Sequence, residues 1–531
     1  MDSGIHISRF SREPENRPNH KPTRGTEDMR RLAKLSGLLL AGTLLAFPVF
    51  AADLRIGLMD DADVLDPAQS RTFVGRIVYT SLCDKLVDLS PELTIVPQLA
   101  TKWEWNADGS ALTMDLREGV VFHDGTPFNA EAAVYNIERG MTLPESRRKS
   151  ELASVAKIEA TGEHQIKFTL KSPDASLLAQ LSDRAGMMIS QKAGKELGAN
   201  FGSKPVCSGP FKFVERIQQD RIVLEKFAGY WNAENIFIDK VTYLPIPDTT
   251  VRLANLRSGE LDILERLGPS DAASVQADNS LNYGSVIGPG YIAMYTNIAN
   301  GPRADNPFGK DKRLRQAFSL AIDRQAINQV VFEGTAMAGN QPFPPTSPWF
   351  NTELPVPERD VEKAKALMKE AGYEKFEIEL QHANNTTQTQ MMQVIQSMVA
   401  EAGFDVKLKA TEFATLLSEQ TAGNYVLSRS DWSGRADPDG NIHQFITCKG
   451  GINDTKYCNP EVDTLLNEAR ASTDNAVRKA KYDAASVILN EDMPIIYLGH
   501  QPYLYAFDKD ITGFTPSPDG MIRLVGVKKG S

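Results

Sequence analysis

One short apolar run near the start limits what the rest of the chain can become. Arg30, Arg31 and Lys34 stand just before a stretch without charge from Leu35 to Phe50, and Val49-Phe50-Ala51 closes it with small or modest side chains. A basic segment, an apolar segment and a small-residue cleavage site, in that order, read as a secretory signal. The run is shorter than the roughly 20 apolar residues that a membrane-spanning helix needs. Cleavage is expected after Ala51, and no cysteine stands there to carry a lipid. The mature chain must then fold outside the cytosol, in an oxidising compartment and without an anchor. Residues 1–28 are polar and carry Pro14, Pro18 and Pro22, a composition that builds no core. Because signal segments begin at their basic end, Met29 is the expected initiator.

Residues 52–531 exceed the roughly 250 to 300 residues at which one hydrophobic core stops growing, so at least two lobes are expected. With 41% apolar and 24% charged residues, the chain has ample material for them. Removing residues 1–51 takes eight Lys/Arg and five Asp/Glu from totals of 58 and 68, which leaves a net charge near -13. An acidic chain without basic runs argues against nucleic acid or anionic lipid as a partner. The cysteines are Cys83, Cys207, Cys448 and Cys458. Cys448 and Cys458 flank the turn-rich KGGINDTKY and are expected to pair, which leaves Cys83 for Cys207. None of them has the CxxC spacing of a metal site, so no metal is expected. The sequence also lacks GxSxG, HExxH and GxxxxGKS/T, so no catalytic residue and no cofactor are assigned.

Periodicity places the main elements. Leu54, Ile56 and Leu58 alternate as a strand, and a helix-like stretch carries Ile77, Val78, Leu82 and Leu86. Trp103 to Phe122 reads as two strands about an Asp108-Gly109 turn, and Asn129 caps a following helix. Strands are expected at His164–Lys171 and as a hairpin over Phe211–Phe227, turning at Gln218-Gln219-Asp220. Asp248 heads a helix that ends at Ser258-Gly259, before a short strand at Leu261–Leu264. After Gly288-Pro289-Gly290 the pattern turns helical. Helices are expected over Arg313–Phe332, Val361–Gly372 and Thr389–Gly403, alternating with the strands FEIELQH and DVKLKAT. The character changes near Gly288–Tyr295 and again near Ile495–Tyr505.

Six fragments in one order carry a resemblance. They are LDPAQS (Leu65–Ser70), the long run from Leu86 to Arg139, SGPFKF (Ser208–Phe213), YIAMYTN (Tyr291–Asn297), RLRQAFSLAIDR (Arg313–Arg324) and CNPEVDTLLNEA (Cys458–Ala469). Together they resemble the bacterial extracellular solute-binding proteins of family 5, the periplasmic dipeptide, oligopeptide, nickel, glutathione and opine binders. The resemblance implies an α/β, two-lobed periplasmic-binding-protein type II-like fold with an extra subdomain in the first lobe. By that analogy residues 52–290 and 500–531 form the first lobe, with the subdomain at about 96–204, and residues 291–499 form the second. It also implies a monomer, free in the periplasm, that encloses a small molecule between its lobes without catalysis and hands it to an ABC permease and ATPase.

The segment DWSGRADPDGNIHQF (Asp431–Phe445) resembles the loop in which peptide-binding relatives carry an aspartate for the ligand's α-amino group. Here Arg435 stands where some dipeptide binders have an acid, the loop is one residue shorter, and Asp437 meets that acid only after a shift. A planar guanidinium suits a carboxylate, so Arg435 points to a ligand anion or to an internal pair with Asp431, Asp437 or Asp439. Trp432 either walls the ligand or packs in the core. Tyr291 and Tyr295 offer hydroxyls from a crossing strand or pack there. Phe73, Arg184 and Met187 lie where relatives approach ligand. His443 would join a metal chelate in an alternative reading, with a packing histidine as the plainer one. The expected ligand is a short peptide, a glutathione-like peptide or an opine. The alternatives are a nickel-type chelate binder, a chemoreceptor-coupled sensor and, last, a secreted hydrolase.

Overall fold

The computed structural model describes residues 52–530. The signal segment, its cleavage after Ala51, the polar extension and the Met29 start lie outside the described residues. No helix among the described residues is long and apolar enough to cross a membrane.

Leu54, Ile56 and Leu58 are buried, as an alternating strand against a core requires. Their strand, Asp53–Leu58, lies inside a seven-stranded sheet. From edge to edge this sheet runs Leu281–Ile287, Pro502–Asp508, Ile263–Glu265, Asp53–Leu58, Lys240–Pro245, Arg221–Lys226 and Phe211–Ile217. The two neighbours of Asp53–Leu58 are parallel to it. They are joined by the helix Thr249–Arg257, whose N-cap Asp248 accepts from the Val251 amide at 2.9 Å. This is a strand, helix, strand crossover of the kind that parallel pairing demands. The Phe211–Ile217 and Arg221–Lys226 hairpin turns at Gln219, which takes φ +59°.

A separate four-stranded antiparallel sheet holds Ala100–Trp105, Ala111–Leu116, Gln165–Leu170 and Val155–Gly162. The helix Ala130–Thr142 covers it, capped by Asn129 accepting from Ala132 at 3.0 Å. Ala133 and Ile137 of that helix share one core with Leu112, Ile166 and Phe168 of the sheet.

The third large sheet has six strands in the order Met337–Ala338, Ile495–His500, Tyr291–Thr296, Leu427–Trp432, Phe376–Ala383 and Phe404–Thr411. Its helices differ from expectation in two places. The helix expected over Arg313–Phe332 is two, Lys312–Leu320 and Arg324–Phe332, because Asp323 caps the second by accepting from the Ala326 amide at 2.8 Å. The helix expected from Thr389 begins at Thr386, since Asn385 supplies the cap.

Two segments run directly from one large sheet into the other. Leu281–Ile287 continues through Gly288-Pro289-Gly290 into Tyr291–Thr296, and Ile495–His500 continues through Gln501 into Pro502–Asp508. They pair antiparallel on both sides of the crossing. His500 Nδ1 donates to the Gly290 carbonyl at 2.7 Å and ties them together. A side chain at Gly290 would put its Cβ 2.1 Å from the Trp432 carbonyl oxygen, so only glycine lets the crossing pass the site loop. The result is a two-lobed α/β molecule with an extra subdomain. Disulfides join Cys83 to Cys207 and Cys448 to Cys458. The first closes a sequence separation of 124 residues and the second one of 10, so the first removes more freedom from the unfolded chain.

Candidate functional site

The strand Leu427–Trp432 pairs with the crossing strand Tyr291–Thr296 and delivers its end to the cleft between the large sheets. After Trp432 the chain turns at Gly434, with φ +83°, before the helix Asp439–Ile446. Asn441 of that helix fixes the turn, since its Oδ1 accepts from the Arg435 amide at 2.7 Å and from Trp432 Nε1 at 2.9 Å. The first lobe holds the turn as well. Tyr503 Oη donates to the Ser433 carbonyl at 2.6 Å, and Arg76 Nη1 donates to Ser433 Oγ at 3.0 Å.

Arg435 is buried with its guanidinium 4.1 Å from the Trp432 ring centroid. Its internal partner is none of the three acids the sequence suggested. Those are taken: Asp431 by Arg429 at 2.9 Å, Asp437 by Arg478 at 2.6 Å, and Asp439 by Arg470 at 2.9 Å. The left-handed turn at Gly434 sends Arg435 across the cleft instead, where its Nε pairs with Asp183 of the other lobe. Asp183 also meets Arg76 at 3.0 Å and Arg184 at 3.9 Å. Burial alone would raise the Asp183 carboxyl, but Arg435, Arg76 and Arg184 together hold it well below the usual carboxylate range.

A cavity of about 50 Å³ opens between the lobes. It is walled by Arg71, Phe73, Arg148, Glu151 and Arg184 on one side and by Tyr295, Asp431, Trp432, Phe445 and Asp454 on the other. Arg71 crosses it to Asp454 at 2.8 Å. Arg148 pairs with Glu151. Arg184 has no acid of its own, because Asp183 is already engaged by Arg76 and Arg435. Burial, with Asp183 outweighed by Arg148 and Arg76, pushes the Arg184 guanidinium down to about 10. Four guanidiniums, Arg76, Arg148, Arg184 and Arg435, thus share two carboxylates, Asp183 and Glu151, at and behind this wall. Buried polar atoms there also lack hydrogen-bond partners among the described residues, namely Arg148 Nε, Arg184 Nε, Arg435 Nη2 and Asp431 Oδ1.

Of the residues expected from the sequence, Phe73, Arg184, Trp432 and Tyr295 meet at this cavity. Phe73 lies flat against Tyr503, with centroids 5.4 Å apart. The Tyr291 hydroxyl sits 3.3 Å from that of Tyr295, and its ring packs on Phe445 and Tyr497. Met187 is buried in the first-lobe core and bridges Lys85 through its backbone, off the cleft. Asp437 is spent on Arg478. His443 Nε2 bonds Asn467 Oδ1 at 2.9 Å, and the described residues contain no cluster of His, Cys, Asp and Glu able to hold a metal. The sequence reading passed over Arg71, Arg76, Arg148, Glu151, Asp183 and Arg266. Arg71 and Asp183 adjoin fragments already singled out, LDPAQS and DRAGMM, but nothing local marks the others. A larger cavity, about 470 Å³, lies wholly within the second lobe between Ser319, Arg324, Asn340, Leu354 and Leu489, and contains no expected ligand contact.

The family model for bacterial extracellular solute-binding proteins, family 5, matches residues 94–453. The chain belongs to that family. It is 31% identical over 508 residues to the glutathione-binding protein GsiB of Pectobacterium atrosepticum, covering 92% of this chain and 96% of that one. It is 27% identical to the dipeptide-binding protein of Escherichia coli, over 93% of this chain and 98% of that one. Among solved structures, the binding protein AgaA from A. tumefaciens in complex with agropinic acid superposes with a TM-score of 0.81 at 26% identity, covering 90% of this chain and 99% of that one. A dipeptide-binding protein from Pseudoalteromonas, at 24% identity and a TM-score of 0.84, shares the fold over 90% of this chain and 100% of its own.

Proposed function

We propose that the mature chain is the periplasmic binding subunit of an ABC importer and captures a small solute bearing at least one carboxylate, a short peptide, a glutathione-like peptide or an opine. The observation that carries this reading is the arginine cluster at the cavity, where four guanidiniums share two carboxylates. A buried cation short of counter-charge costs several kcal/mol unless an anion meets it. A carboxylate does so with paired, charge-assisted hydrogen bonds. The names of the relatives support the class, since glutathione, dipeptides and agropinic acid all carry carboxylates.

In this reading residues 52–290 with 500–531 form one lobe, residues 291–499 the other, and the paired crossings at Gly290 and His500 are the hinge. The cavity of about 50 Å³ is far below the roughly 300 Å³ of an ordinary ligand pocket. Admission therefore requires the lobes to part, which opens the Arg435–Asp183 and Arg71–Asp454 clasps. The monomer performs no chemistry on its cargo and delivers it to the permease and ATPase. The signal is removed after Ala51.

The test is native mass spectrometry of the protein purified from its host, followed by calorimetric titration with the solute found and with its carboxamide. Saturable binding of one acidic molecule, weakened at least about tenfold by amidation, is expected. Equal affinity for acid and amide would remove the arginine cluster from recognition.

A further inference from the structure

A second recognition point lies at the other end of the same cleft, and its meaning rests on the reading that the cleft holds a small carboxylate ligand. Arg266 follows the strand Ile263–Glu265 and has φ +55°, a left-handed backbone that a residue with a side chain keeps only when its surroundings hold it there. Its guanidinium lies 5.0 Å from the Phe73 ring centroid and 4.6 Å from that of Tyr503. Its ion contact is Glu265 at 3.6 Å, too long for a hydrogen bond, and its Nε has no hydrogen-bond partner among the described residues. The aromatic faces orient this guanidinium without using its donors.

Asp431 faces it from the other lobe. Asp431 Oδ2 is engaged by Arg429 at 2.9 Å and by Gln501 Nε2 at 3.4 Å, while the buried Oδ1 has no partner. Arg266 and Asp431 line the same two cavities between the sheets, of about 30 and 10 Å³. Asp431 and Trp432 also line the cavity that holds Arg184, so the two ends adjoin. A donor with free hydrogens and an acceptor with a free oxygen therefore share one small space.

The geometry points to Arg266 and Asp431 as a subsite for a zwitterionic α-amino-acid head group, Arg266 donating to its carboxylate and Asp431 Oδ1 accepting from its ammonium. Those two charges stand on one carbon, which suits a donor and an acceptor lining one small space. An α-linked peptide cannot present them so, because its ammonium and its terminal carboxylate lie at opposite ends of the molecule. With the second carboxylate at the Arg184 end, the ligand becomes a γ-linked peptide or an N-substituted amino acid rather than an ordinary α-peptide.

Two isomers separate these classes: γ-Glu-Cys-Gly, which is glutathione, and α-Glu-Cys-Gly, with the same atoms and the same formal charges. Both are titrated calorimetrically into the wild type, Arg266→Gln and Asp431→Asn. The γ isomer is expected to bind the wild type at least about tenfold more tightly, because the α isomer leaves buried charges unmet. Arg266→Gln and Asp431→Asn should each bring the ratio toward one. An α isomer that binds the wild type as tightly as glutathione overturns the subsite, and so does a ratio that survives both substitutions. The wild-type ratio stands even if a variant does not fold. If L-Ala-L-Glu binds and glutathione does not, the subsite falls while the carboxylate reading stands. If L-Ala-L-Glu, glutathione and octopine all fail to bind, the carboxylate reading falls too.

Discussion

The loop from Asp431 to Asp439 has two ends that treat charge in opposite ways. At the far end, Asp437 and Asp439 each receive two hydrogen bonds from an arginine of their own lobe, Arg478 and Arg470. Every charge there is matched locally. At the near end, Asp431 keeps Oδ1 unpaired, and Arg435 leaves its own lobe for Asp183 while Nη2 stays unpaired. Matched charge fixes a loop in place, whereas unmatched charge beside a cavity is what a ligand can use. A run of Asp and Arg in a site loop therefore identifies a binding surface only when the partners of each are known.

The contrast breaks most readily at the far end. Asp439→Ala leaves the Arg470 guanidinium without its carboxylate at a fully buried position, and should lower stability by about 3–5 kcal/mol, read from the denaturant midpoint. Ligand affinity per folded molecule should not change. Unchanged stability would mean that this pair is not scaffold. At the near end, Arg184→Gln should do the reverse. It should weaken an acidic ligand by about 2–4 kcal/mol, roughly 30- to 1,000-fold, with a melting temperature at or above that of the wild type.

The hinge offers a third, smaller effect. Burial pushes the imidazole of His500 down to about 4, with the Gly290 carbonyl opposing only part of the shift. The unfolded chain binds this proton near its ordinary value and the folded chain does not. Stability from neutral His500 is thus fully present above pH 6.5 and declines as the pH falls toward 4, by about 2 kcal/mol at pH 5. His500→Gln should flatten a thermal-melt profile over that window, and an unaltered slope would show that His500 is not its source. Smallest is Asp437→Asn, expected to cost about 1–2 kcal/mol because the amide still accepts from Arg478. A loss as large as that of Asp439→Ala would erase the distinction between the two pairs.

The sequence was legible where the determinants are local. Strand alternation at Leu54–Leu58, the caps at Asn129 and Asp248, and the hairpin at Gln219 are set by neighbours a few residues apart, and the structure has them. The break at Asp323 was missed because apolar periodicity runs through it unchanged, and only the capping hydrogen bond reveals two helices. Family resemblance supplied the lobes and the site loop. It did not supply Asp183 as the partner of Arg435, since that pair exists only after the lobes meet. Arg266 was invisible for the same reason. Its value comes from the rings of Phe73 and Tyr503, brought together from opposite ends of the chain.

The central claim is that the arginine cluster meets a ligand carboxylate, and a double-mutant cycle reads it directly. The host solute and its carboxamide are titrated into the wild type and Arg184→Gln, which gives four binding free energies. The account predicts a coupling of at least about 1.5 kcal/mol between the ligand carboxylate and Arg184. Additive effects, with amidation as costly in the variant as in the wild type, would contradict it.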